Sequence, residues 1–571
     1  MGMRRVLLWL ALAILCAAPW AQAAGIVLVG VPPEVEAAFR QETAGEENLA
    51  SPEAQMRDSR LTLEELLQSF GYLDAEVTAA GDAPGSGFEV TPHERYAFAP
   101  PILSAPGLGE DVRARLLALL GPVSPPHPFW AGAVLDTEAA MLDALRSQGY
   151  PQPQVRRQVV AHRDQRQVQV TWEIANGKQS HFGATEVDLP PDLEPEFVLR
   201  RLAWRPGELY DARLVDATWQ RLVRTGLFSS IRVEELSAVG DQQPMRISGT
   251  LAPQRTARAS VWYYTDGGPG VKLGWEHRNI FHGAERLSLG LELSELLSQG
   301  EVQLRFPDYL GRDRALVLFV QAKDETTSAY DSQGILLGSS LTMDLTPMFG
   351  LDAGLTYRLS RTRPAQGEEE THNLLSTPLG LRLTATDNLL DPRQGMQGHV
   401  VVEPFSSLED PRRSFLLTSV AGRVYVPLGP KLTLALRGRS ASITGTGRDR
   451  VPPDIRLYAG GPQSVRGFAY QSAGPLDAED NPKGGLSAVD GSAELRWWVS
   501  GSWGLALFLD GGGAFASQIP HSMDELFWGA GCGLRYATPA GPLSIDAAVP
   551  VVGRRESDSP IQISLLFGQA F

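Results

Sequence analysis

At 571 residues, with 51 Lys and Arg against 66 Asp and Glu and a formal net charge of −15, the chain is too long for one ordinary domain. It is also too acidic for a nucleic-acid partner, because neutralising phosphates needs a basic surface. Its two cysteines are Cys16 and Cys532. The chain opens with Arg4 and Arg5, an apolar run from Val6 to Ala18, and the small residues Ala21 and Ala23. That order reads as a secretory signal over residues 1–23, because the run is shorter than the roughly 20 apolar residues of a spanning helix. Its removal takes Cys16 with it, so no intramolecular disulfide is expected although export would permit one. No later stretch is apolar for long enough to span as a helix, and a membrane protein without spanning helices must be a closed barrel.

Three segments of the N-terminal half resemble one another. Leu66–Val77 contains Phe70, Gly71 and Tyr72; Ala144–Val155 contains Gln148, Gly149 and Tyr150; Arg221–Val233 contains Thr225, Gly226 and Leu227. The glycines recur at intervals of about 78 residues. In each copy an amphipathic run suited to a helix meets a glycine able to take the left-handed conformation, and a β-prone segment follows. The repeat resembles the POTRA domain, whose second helix ends in Gly-Tyr or Gly-Phe before a strand. Asn176–Gly177 and the stretch from His181 to Val187 read as a junction and the opening strand of the third copy. The expected modules are residues 24–94, 95–178 and 179–253. Such α+β modules have sheet edges that can accept an extended strand of a client or partner.

From Arg255 the texture changes to short runs of alternating apolar and polar residues separated by Gly, Pro, Asp and Asn, the pattern of a transmembrane barrel. In the run Lys431–Arg439 the leucines share one face, while Lys431, Arg437 and Arg439 lie on the other. Leu505, Leu507 and Leu509 alternate in the same way with Ala506, Phe508 and Asp510. About 16 such runs occupy residues 254–571, an even number suited to a single-chain antiparallel barrel. Trp497, Trp498, Trp503, Trp528 and Tyr536 fall near strand ends, where aromatic rings favour a membrane boundary. The final run alternates to Phe571 and resembles the C-terminal targeting strand of outer-membrane proteins.

Between the eleventh and twelfth runs lies a long loop containing Val465, Arg466, Gly467 and Phe468. This tetrapeptide matches the VRG[FY] motif of the BamA/TamA/two-partner-secretion superfamily. Asp387–Gly395, Gly491–Arg496, Leu507–Gly513 and Gly541–Asp546 continue the resemblance, which is nearest to the TamA branch. The resemblance implies that the loop folds back into the lumen. A guanidinium there needs a carboxylate; Asp510 is the first choice and Asp546 the second. Three upstream modules favour the TamA branch over secretion pores, typically built with two, and over BamA, typically with five.

The implied activity is assembly or translocation of client outer-membrane proteins such as autotransporters, with a TamB-like inner-membrane-anchored partner and a barrel that is monomeric in outer-membrane lipid. The modules would lie in the periplasm. A weak lateral seam between first and last strands is expected near Val261, Tyr263, Gly568 and Phe571, with the last strand near Phe571 pairing with the first near Val261 to close the barrel. The alternative is a two-partner-secretion pore exporting a soluble substrate. An enzyme is not expected, nor a cofactor or metal: the chain carries no GxxxxGK[ST], HExxH or CxxC motif. The glycine-rich run Gly529–Gly533 is read as a barrel strand with close packing.

Overall fold

The computed structural model describes residues 26–43, 52–80, 87–175, 178–388, 392–520, 523–538 and 541–567. The signal over residues 1–23, the Asn176–Gly177 junction, Gly568 and Phe571 lie outside the described residues. The chain divides into two compact units, one of residues 1–186, 202–220 and 232–247, the other of residues 187–201, 221–231 and 248–571. Among the described residues no helix is long and apolar enough to cross a membrane.

Upstream of residue 254 the repeated motifs end the helices Pro52–Ser69, Ala131–Arg146 and Ala212–Val223. Gly71, Gly149 and Gly226 follow with φ of 91°, 94° and 67°, a conformation that a Cβ disfavours. After the first helix the Tyr72 N–H donates to Leu67 O at 2.8 Å and the Gly71 N–H to Gln68 O at 3.0 Å. These bonds satisfy carbonyls that the helix end would otherwise orphan. Three small sheets accompany the helices. The first orders Val27–Val29, Gly87–Thr91 and Glu76–Ala79. In the second, Gln167–Ala175 pairs with Ala97–Phe98, Ile102–Ser104 and Gln154–His162. The third orders His181–Asp188, Gln242–Leu251 and Phe228–Glu235. Separate apolar cores form around Phe39 and Leu67, around Met141 and Trp172, and around Phe182 and Tyr210.

From Arg255 the strands form one closed antiparallel barrel. The eighth strand is broken into Glu370–Ser376 and Leu379–Thr386, and both halves pair with the seventh strand (Phe349–Pro364) and the ninth (Gly395–Ser407). The break falls at Thr377 and Pro378, where the proline ring leaves no N–H for the ladder. With the halves taken as one, the barrel has sixteen strands, as expected. On the thirteenth strand (Trp503–Phe515), Leu505, Leu507 and Leu509 are 46%, 50% and 46% exposed while Ala506, Phe508 and Asp510 are buried. The alternation therefore turns the leucines outward and Ala506, Phe508 and Asp510 inward. Trp503 packs against Tyr536 with ring centroids 4.5 Å apart, and Trp497 is exposed nearby in sequence on the twelfth strand (Ser487–Ser500).

Residues 445–486, between the eleventh strand (Leu432–Thr444) and the twelfth, fold into the barrel. Val465 and Phe468 pack with Ala459, Ala473, Ala488 and Ala514. Val451 and Leu486 join Leu374, Phe405, Phe415 and Ile443 in a second cluster. Part of the lumen is thus a packed core.

Candidate functional site

The inward loop turns at Gly460, Gly461 and Gly467, whose φ values are 103°, 94° and 104°. At Gly467 an added Cβ would lie 2.9 Å from the Val549 backbone on the fifteenth strand (Gly541–Val552), so the bare backbone is what lets the loop touch the wall. The turn delivers Arg466, which is 6% exposed, to three carboxylates. Its Nε and Nη2 donate to the two oxygens of Asp510 at 2.7 and 2.9 Å, and its backbone N–H adds a third bond to the same carboxylate at 3.0 Å. Nη1 reaches Glu494 at 2.8 Å and Asp546 at 3.5 Å, and Nη2 donates to Ser492 Oγ at 3.1 Å. The guanidinium carbon lies 3.4 Å from the centroid of the Phe508 ring. Five donors in a rigid fork are thus met from several sides, an arrangement that a lysine cannot copy.

The register of the wall explains the convergence. Ser492 and Asp510 are directly opposed, and so are Glu494 and Phe508. Every second residue of a strand faces inward, so Ser492, Glu494, Phe508 and Asp510 form one inward block. The fourteenth strand (Phe527–Thr538) makes room through Gly529, Gly531 and Gly533. A Cβ on these would collide with the Arg466 carbonyl, the Phe508 ring and the Asp546 carboxylate, respectively. Arg496 at 2.8 Å and Arg535 at 3.5 Å supply further positive charge to Glu494, and Arg535 also holds Asp546 at 2.5 Å. Three arginines therefore face three carboxylates, which keeps burial from leaving a lone charge.

Two more contacts fix the loop. Arg437 on the eleventh strand donates to the carbonyls of Gln463 and Ser464 at 2.6 and 2.8 Å. Asp454 accepts from Arg358 on the seventh strand at 3.2 Å and from Ser332 at 3.4 Å. Val465 is fully buried, and Phe468 meets Phe527 edge to face with centroids 5.3 Å apart. The structure thus brings together Val465, Arg466, Gly467, Phe468, Asp510 and, at longer range, Asp546. Sequence reasoning missed Glu494, Ser492, Arg535 and the Phe508 face. Their signal was available as polar or aromatic residues at alternate positions of the twelfth, thirteenth and fourteenth strands.

The second feature is the seam. Among the described residues, the first strand (Arg255–Tyr264) shares ten register pairs with the second and four with the sixteenth (Gln562–Phe567): Val261 with Phe567, Trp262 with Leu566, Tyr263 with Leu565, and Tyr264 with Ser564. Val261 lies opposite Phe567, a stagger that barrel closure fixes and alternation alone leaves open. Thr265 extends the seam by donating its N–H to Ile563 O at 3.1 Å. No cluster of three His, Cys, Asp or Glu side chains suited to a metal occurs among the described residues.

Comparison with known proteins agrees with this geometry. The model of the Omp85 superfamily domain matches residues 279–571. The outer membrane protein assembly factor BamA of Nitratidesulfovibrio vulgaris is 22% identical over 514 residues, covering 86% of this chain and 64% of that protein. BamA of Neisseria meningitidis serogroup B is 20% identical over 551 residues, covering 86% and 69%. BamA of Neorickettsia risticii, at 21% identity, covers 74% and 60%. The chain thus spans somewhat less than two thirds of two of these relatives. Among solved structures, BamA from Haemophilus ducreyi lacking POTRA domains 1–3 superposes with a TM-score of 0.69 at 17% identity, covering 82% of this chain and 99% of that one. CdiB from Acinetobacter baumannii gives 0.51 at 12%, covering 83% and 90%. At these identities the likeness is one of fold.

Proposed function

The chain belongs to the Omp85 superfamily, and from that premise we propose that it is an assembly or translocation factor of the TamA kind, inserting client β-barrel proteins such as autotransporters into the outer membrane. The observation that carries this reading is the seam where the first strand meets the sixteenth, with residues 261–264 paired to residues 564–567. Backbone groups left without partners in lipid cost several kcal/mol each, so parting these two strands would expose an edge that a client strand would satisfy by β-augmentation. The loop held by Arg466 occupies part of the lumen, which favours sideways passage over a through-pore. The activity makes and breaks no covalent bond and uses no cofactor; it exchanges one strand pairing for another.

In this reading the upstream modules lie in the periplasm and offer their sheet edges to clients and to a TamB-like partner anchored in the inner membrane. Recovery of such a partner in a pull-down from outer-membrane extracts tests that assignment. The seam is tested by Tyr263→Cys with Leu565→Cys in a Cys532→Ser background, because the two positions are register partners. The oxidised variant should insert normally yet stop client assembly until reductant is added. Undiminished assembly by the oxidised form overturns the lateral mechanism. The likeness of fold to CdiB supports a second reading, a pore that exports a soluble substrate. Loss of one secreted protein on deletion, with barrel clients unaffected, would favour it.

A further inference from the structure

The stretch from Tyr470 to Gly474 follows Arg466 within a few residues and touches both hairpins that flank the seam. On one side is the turn 265–267, which joins the first strand to the second (Gly268–His277). There the Asp266 carboxylate accepts the backbone N–H of Tyr470. On the other side lies the turn 553–561, which joins the fifteenth strand to the sixteenth. From it Arg555 donates Nη1 to Ser472 O and Nη2 to Gly474 O, each at 2.7 Å, and its guanidinium lies 4.9 Å from the Phe527 ring centroid. Phe527 is the ring against which Phe468 packs. The stretch is itself pinned from below, because Ala514 on the thirteenth strand donates its N–H to Ala473 O at 3.0 Å and Ala473 donates to Ala459 O at 2.9 Å.

We infer that residues 470–474 form a clasp across the end of the seam where these two turns lie, tying the first hairpin to the last through the loop. Tethers at the end of the seam add to its ladder in holding the two strands together. Charge-assisted bonds, from a guanidinium to backbone carbonyls and from a backbone N–H to a carboxylate, are among the stronger ones available. The tethers act in series. Releasing Asp266 frees the first hairpin from the loop and releasing Arg555 frees the last, and either event alone breaks the link that runs through the loop. Because the chain from Arg466 to Tyr470 is so short, a client that displaced Arg466 would pull on both. Lock and clasp would then form one latch, with opening coupled to client arrival. The consequence for client entry rests on the reading of the seam as a port, whereas the clasp itself can be measured with no client present.

Spin labels at Glu295→Cys and Ser557→Cys, in a Cys532→Ser background and in lipid nanodiscs, report the distance across the seam end by pulsed electron resonance. The clasped protein should give one narrow distribution. Arg555→Ala and Asp266→Ala should each shift it to longer distances, and the double variant should match either single, as elements in series require. Unshifted distributions in heat-modifiable, folded barrels, or shifts that add, overturn the clasp. Should the alanine variants fail to fold, Arg555→Gln and Asp266→Asn replace them with the same expected order. A second arm joins Tyr470→Cys to Asp266→Cys by a disulfide. The oxidised form should hold the narrow distribution even with Arg466→Ala, and a broadened one overturns the inference. Retained distances together with unaltered client assembly would instead leave the clasp standing and remove the port.

Discussion

Arg466 is buried among Asp510, Glu494 and Asp546, and an arginine cannot shed its charge in a protein. Arg466→Ala therefore strands a fully buried Asp510 and loosens the loop, at a cost of about 3–5 kcal/mol for a buried pair broken on one side. Denaturant unfolding of the refolded barrel measures that cost, and client assembly should fall with it. Arg466→Lys should rescue little, because a point charge cannot bond both oxygens of Asp510 and reach Glu494 as well. Asp510→Ala should resemble Arg466→Ala, with the double variant no worse than the worse single. Additive losses would show that the two residues do not act as a unit. Arg466 and Asp510 were legible in the sequence because one lay in a recognisable motif and the other on the inward phase of a clear alternation. Glu494 was not singled out, although it sits on the same phase as Ser492 and Arg496. Which of these reaches the guanidinium depends on the stagger of neighbouring strands, and that is set by barrel closure and not by any one strand.

At the scale of elements, the fourteenth strand shows how alternation can carry absence as well as side chains. Gly529, Gly531 and Gly533 face the lumen and leave the space that the loop backbone, the Phe508 ring and Asp546 fill. Ala530 and Cys532 take the other phase, and Cys532 is exposed. Gly529→Ala should therefore unseat the loop, with an overpacking cost of about 1–3 kcal/mol, whereas Ala530→Leu on the outward face should leave stability and assembly unchanged. Limited proteolysis within residues 445–486 reads the difference, and equal protection of the two variants would contradict it. Counting alternating runs gave the number of strands, since each must cross the same thickness. It did not mark the interruption at Pro378 or the pairing of Val261 with Phe567. Both depend on which residues lie across a ladder, and register is not written in one strand's own pattern.

For the molecule as a whole, the division of contacts offers a prediction about which parts stand alone. The first two α/β regions, residues 26–175, fall in the first unit and bury their own clusters around Leu67 and Trp172. The third region is shared: residues 187–201 belong with the barrel strands in the second unit. Within that unit the Asn279 side chain donates to Asp192 O, the Glu194 N–H donates to His282 O at 3.0 Å, and Arg201, 3.4 Å from the Phe197 ring centroid, pairs with Asp308. A fragment of residues 24–178 should consequently be soluble and cooperatively folded, with a circular-dichroism melt like that of the same regions in the intact protein. A fragment of residues 24–253 should also be soluble, but amides in 187–201 should exchange hydrogen faster there than in the full chain, since Asn279, His282 and Asp308 are gone. Local opening is governed by the contacts a segment retains and not by the stability of the rest. Equal protection of 187–201 in the fragment and in the full-length protein would mean that the third region is self-sufficient and that its ties to the turns at 278–285 and 308–313 contribute nothing to its order.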